Sequence, residues 1–126
     1  MIYTEDTTEY RVKFFKNIQS GQNPVLEYLK KLGVKEETKI LKYIEFLRLN
    51  KGYLEEPYSG HIRGKIRELR VDFGHSKHRI FYFIFARKTI ILLHAFLKKT
   101  SKTPISELKK AEKNYQHVLG NPTVYE

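Results

Sequence analysis

At 126 residues with no cysteine, the chain is long enough for one modest core and has neither disulfides nor thiolate chemistry nor cysteine-ligated zinc to draw on. No run of about eighteen apolar residues marks a membrane span, and no charged start leads into an apolar stretch with a small-residue cleavage site, so a cytoplasmic protein is expected. The formal charge is +10, and residues 61–102 hold eleven Lys/Arg against two Asp/Glu, which places nine of the ten net charges in one third of the chain and points to a polyanionic partner rather than a merely solvated face.

Taken in chain order, Tyr10–Phe15 (YRVKFF) alternates as a strand does, with Arg11 and Lys13 on one side and Tyr10, Val12 and Phe14 on the other. After the turn-like NIQSGQNP, Val25, Leu29 and Leu32 share one helical face, and Ile40, Ile44 and Leu47 repeat the pattern, so an αα-hairpin broken at Gly33 is predicted. From Gly60 the period changes to two. KIRELRVDF, HRIFYFIFA and TIILLHAFL, separated by GHSK and RK, read as a three-stranded antiparallel meander. The second and third runs are apolar on both sides, so at least one face of the sheet must be covered, and the preceding helices are the expected cover. Thr103 then suits a cap and Pro104 a first helical position, opening a helix with the stripe Ile105, Leu108, Ala111, Tyr115 and Leu119 that stops at Gly120. The expectation is a single α+β domain over residues 1–120, in the order β-α-α-β-β-β-α, with residues 121–126 a loose tail.

Two constellations suggest chemistry. The first is the junction KKTSKT, where an apolar strand gives way to a helix N-terminus. Lys98, Lys99 and Lys102 stand there among hydroxyls and unpaired backbone N–H groups, a setting suited to phosphate. The second lies in KIRELR, where alternation puts Glu68 and Arg70 on one face, with Arg79 opening the next strand across a short turn. A guanidinium fork holds two phosphate oxygens at once and can stabilise charge that grows as a phosphodiester breaks. Glu68 has two readings, a proton acceptor or a cross-strand ion-pair partner of an arginine. GHIRGK from Gly60 has the wrong glycine spacing for a phosphate-cradling loop, and His75 with His78 lacks a third ligand nearby, so no metal is expected. His94 and the aromatics Phe81, Tyr82, Phe83 and Phe85 lie in runs so apolar that core positions are the better reading.

The strings ELR (Glu68–Arg70), HRIFYF (His78–Phe83) and LLHAFLKKTSKTP, followed by Glu107 and Ala111, together resemble the HigB toxins, the phage-related subgroup of the RelE superfamily, over about Pro57 to Leu119. The resemblance implies a RelE-like fold, a small antiparallel sheet carrying two N-terminal helices and a C-terminal helix. It also implies a toxin that cleaves mRNA in the ribosomal A site without a cofactor, and a HigA-like antitoxin whose helix-turn-helix domain is the only route to operator DNA. Carried onto this sequence, the catalytic positions are Glu68, Arg70, Arg79, Lys98 and Lys99, and the phosphate contacts are Arg67, Lys77, Lys102 and Thr103. The C-terminal tyrosine that RelE uses has no counterpart, because Tyr115 falls on the apolar stripe. A metal-independent ribonuclease must activate the RNA 2′-hydroxyl against the adjacent phosphate, with Glu68 or a lysine taking the proton. The rival readings are a nucleic-acid-binding module without catalysis and, more remotely, a structural ribosome-associated protein.

Overall fold

The computed structural model describes residues 9–126. Strand β1 (Arg11–Phe14) is followed by helices α1 (Pro24–Lys30) and α2 (Val34–Leu49), strands β2 (Ser59–Arg63), β3 (Ile66–Phe73), β4 (Ser76–Phe85) and β5 (Thr89–Leu97), helix α3 (Ile105–Gly120) and a short 3-10 turn (Pro122–Val124). The sheet has five strands in the order β1-β5-β4-β3-β2. The α+β class and the order of elements agree with the sequence reading in outline, with two differences. Strand β2 was not expected, since SGHIR offers no apolar alternation; it pairs antiparallel to β3 through its backbone, from Ser59 opposite Leu69. The sheet is also mixed, because β1 runs parallel to β5 while every other pair is antiparallel.

The two-sided apolar runs are explained by cover on both faces. On one, Ile80, Tyr82, Ile90 and Leu92 meet Val25 and Leu29 of α1 and Ile40, Ile44 and Leu47 of α2. On the other, Phe81, Phe83, Ile91 and Leu93 meet Leu108, Ala111 and Val118 of α3. Each such buried aliphatic side chain contributes about 1.5–3 kcal/mol relative to exposure. The stripe on α3 is shifted from the expected one: Val118 is buried and Tyr115 packs edge-on against Phe83 at 4.7 Å, whereas Ile105 and Leu119 face solvent at 67% and 44% exposure. The expected cap is also corrected. Pro104 itself occupies the N-cap position with extended backbone and no side chain caps the helix, while Thr103 lies one residue too early.

Residues 121–126 are not a loose tail. The 3-10 turn folds the chain back so that Tyr125 is buried at 2% exposure, with its hydroxyl accepting from the Lys16 N–H at 3.1 Å and donating to the Lys16 carbonyl at 3.2 Å. An aromatic three residues beyond a Gly-Asn-Pro stop is an anchor, and composition alone did not distinguish it from a frayed end. Tyr125→Ala is expected to cost about 3–5 kcal/mol, as for other buried aromatic truncations. Urea unfolding of the variant beside the parent chain checks this, and an unchanged midpoint would mean that the tail is dispensable.

Candidate functional site

At one end of the sheet β3 runs out, β4 begins and β5 runs out, and this is where the predicted residues gather. Arg70 and Arg79 are direct cross-strand partners, and the next position across on β5 is Phe96. Two like charges opposite one another are destabilising unless anions divide them. Carboxylates do so here. Arg70 Nε donates to Glu68 Oε1 at 2.9 Å and its Nη1 to Glu56, while Arg79 Nη1 donates to Asp72 Oδ1 at 2.9 Å and to the His78 carbonyl at 3.0 Å. Arg79 is buried, yet its Nε has no hydrogen-bond partner among the described residues, and neither has the second carboxylate oxygen of Glu68.

Arg70 lies across β2 at Gly60, where a Cβ would stand 2.6 Å from its Nη2 and 2.8 Å from Glu56 Oε2. The glycine therefore sets how closely the guanidinium lies on the sheet. Beyond it β3 outruns β2, and a cavity of about 170 Å³ opens at this edge. Arg70, Asp72 and Arg79 line it together with Tyr58 and with Lys39 and Tyr43 of α2. Asp72, Lys39 and Tyr58 were missed from sequence. The signal for Asp72 was present, since it shares its strand face with Glu68 and Arg70, but an acid flanked by valine and phenylalanine read as an ordinary strand end.

The lysines are only partly assembled. Lys77, Lys98 and Lys99 line one basic notch with His75, held by a Lys98 N–H to Lys77 carbonyl bond of 2.8 Å that extends the β4–β5 pairing past the strand end. Lys102 and Thr103 lie outside this notch; Lys102 is exposed, and its carbonyl accepts from Thr100 Oγ1 at 2.9 Å. Arg67 is separated from the group altogether. It stands at the opposite end of β3 and on the opposite face, with its Nε donating to the Tyr82 hydroxyl at 3.2 Å. Glu68 is 1% exposed and lies beneath Arg70, a geometry that favours its ion-pair reading.

Two histidines tie this end of the sheet to the helices. His78, buried beside Arg79, donates from Nε2 to Glu36 of α2, since a carboxylate can only accept. Its Nδ1 meets the Tyr28 hydroxyl of α1 at 2.7 Å. Burial, aided by the Glu36 charge, pushes the Tyr28 hydroxyl up to about 12, so it keeps its proton. His94 likewise bonds Glu107 of α3 at 2.6 Å, and burial holds its pKa below the usual value although Glu107 pulls the other way.

Residues 27–116 match the model of a family described as phage-derived protein Gp49-like (DUF891). The chain belongs to the Gp49-like family. That family is toxin-like and related to RelE and HigB. No curated protein matches the chain. The matched span of this Gp49-like protein takes in both arginines, Asp72 and the basic notch; Tyr125 lies beyond it.

Two outcomes follow from this geometry. Gly60→Ala forces the Arg70 guanidinium aside, and because only flexible side-chain ends must move, stability should change by less than about 0.5 kcal/mol. A displaced Arg70 Nε–Hε resonance in NMR with an unchanged urea midpoint is expected; an unmoved resonance would contradict it. For His94 the folded imidazole resists protonation, so the unfolded chain binds the extra proton first. Stability should then fall as pH drops below about 6.5 towards the lower folded pKa. His94→Gln, which keeps an N–H donor, should flatten that part of the urea-midpoint profile.

Proposed function

We propose that the chain is the toxin of a toxin–antitoxin module and acts as a metal-independent, ribosome-dependent mRNA endoribonuclease in the cytoplasm. The observation that carries this reading is the opposed pair Arg70 and Arg79, turned to one cavity at the basic end of the sheet. A phosphodiester has the charge and fork geometry to replace the carboxylate of Glu56, which is 70% exposed and free to swing away from Arg70. The carboxylate of Glu56 thus marks where phosphate oxygens would sit.

In this mechanism the RNA 2′-hydroxyl attacks the adjacent phosphorus, the 5′-oxygen leaves, and the two guanidinium groups neutralise the charge that builds on the non-bridging oxygens. Asp72, an exposed carboxylate in the same cavity, is better placed than Glu68 to take the 2′-proton. Glu68 then serves to hold Arg70. Lys77, Lys98 and Lys99 would draw the flanking backbone towards the site as point charges. Positioning of the message is left to the ribosome, and the expected regulator is a HigA-like antitoxin that carries the operator-binding helix-turn-helix domain. Family membership supports an antitoxin partner in general.

Induced expression of the chain alone, followed by growth measurement and mapping of new mRNA ends, tests the reading. Arg70→Ala and Arg79→Ala should each slow cleavage by about a hundred- to a thousandfold, the usual effect of losing one donor to a developing oxyanion. Asp72→Asn should lower the cleavage rate at saturating RNA without weakening binding, whereas Glu68→Gln should act through Arg70 and raise the RNA concentration required. Folded arginine variants that still cut mRNA and arrest growth at the parental level would refute the site. RNA binding without any new mRNA ends would favour the non-catalytic alternative.

A further inference from the structure

A second basic cavity, of about 500 Å³, lies at the other end of the strands and is lined by Tyr10, Tyr53, Lys65, Arg67, Ile84 and Arg87. Its floor is rigid. The buried Tyr82 hydroxyl donates to the Gly52 carbonyl at 2.6 Å and accepts from Arg67 Nε, which fixes the loop after α2 against the sheet. Gly52 permits this approach: its φ is +87°, and a Cβ there would stand 2.6 Å from Ile84 Cδ1. The loop so held sets the Tyr53 ring 4.5 Å from the Arg67 guanidinium carbon, stacked on one face, with 55% of the tyrosine exposed. Among the described residues, the terminal nitrogens of Arg67 make no hydrogen bond, and Lys65, Arg67 and Arg87 pair with no carboxylate. Arg87 is carried at φ 73°, directly after Ala86 at 52°, in a turn where glycine or asparagine would be unstrained.

We infer that this cavity is a second RNA-anchoring site, in which Tyr53 stacks an unpaired base and Lys65, Arg67 and Arg87 hold the flanking phosphates. An open guanidinium fork beside an available π-face matches a nucleotide, which offers an anion and a flat ring a few ångströms apart. An acidic peptide fits less well, because the lining offers one aliphatic side chain and no apolar pocket for an anchor. Arg67 and Arg70 face opposite sides of β3, so the nucleotide held here is a different one from the nucleotide at the cleavage site. The choice of RNA rests on the reading proposed above; the anchoring role does not require that the chain cleaves.

Fluorescence anisotropy with a short single-stranded 2′-O-methyl RNA, which cannot be cut through its 2′-oxygen, isolates binding from cleavage. Tyr53→Ala should weaken binding about 5- to 150-fold, the range for losing one stacked base, and Tyr53→Phe should bind as the parent does. The exposed double variant Lys65→Gln with Arg87→Asn should lower the magnitude of the slope of log affinity against log salt by about 1.4, at roughly 0.7 per phosphate. Unchanged affinity and slope in all of these variants would overturn the inference. So would variants that bind RNA normally but lose a polyglutamate peptide, which would assign the cavity to an acidic segment. Cleavage by Arg70→Ala and Arg79→Ala is read separately, so failure of one site leaves the other standing.

Discussion

The direct opposition of Arg70 and Arg79 across β3 and β4 is the constraint on which the rest of the basic end depends. Two guanidinium groups on neighbouring strands repel, and the fold resolves this by giving each its own acid. Glu68 lies under Arg70, Glu56 reaches it from the loop before β2, and Asp72 takes Arg79. The three acids differ in what water can reach. Glu68 is sealed in, while Glu56 and Asp72 are 70% and 59% exposed. A buried carboxylate on a half-buried arginine is a fixture, because separating them would strand the carboxylate's charge in low dielectric. The exposed pairs are worth little to stability and yield easily to another anion. The arrangement therefore keeps the arginines aimed while leaving their outer faces negotiable.

Support for this arrangement comes from behind. Arg79 follows His78 in sequence, and His78 is clasped by Tyr28 and Glu36, so α1 and α2 both grip the strand at the residue beside the site. The opposite face is held by α3, through Leu108 and Ala111 in the apolar layer and through Glu107 on His94. With β4 buried on both faces, little freedom remains for the backbone that presents Arg79.

Much of this was legible in the sequence, and the reasons are particular. HRIFYFIFA, apolar on both sides, read as a strand with at least one face covered, and the change from a helical to a twofold period near Gly60 marked where the sheet begins. ELR already put Glu68 and Arg70 on one face. Other features depend on backbone or on distance and leave no such mark. Strand β2 is recruited by hydrogen bonding to β3, and its buried Ser59 serves the Leu54 backbone rather than an apolar layer. Asp72, Lys39 and Tyr58 meet only because β3 outruns β2 beside α2. Arg67 sits three residues from Arg70, and charge alone gave no reason to separate them; alternation and strand length did. No helix among the described residues is long and apolar enough to cross a membrane.

The parallel pairing of β1 with β5 has a consequence for the order in which the protein can be made. Arg11 aligns with Thr89 and Phe14 with Leu92, and the hydroxyl of Tyr125 then fastens to Lys16. Contacts of such sequence separation carry a large loop-closure cost and form late. During synthesis the first strand has no partner until β5 has left the ribosome. The helical hairpin of α1 and α2, built from near neighbours, is free to form much earlier. Arg79 is paired on one side to β3 and on the other to β5, so the candidate site comes together after that hairpin, once all three strands have met.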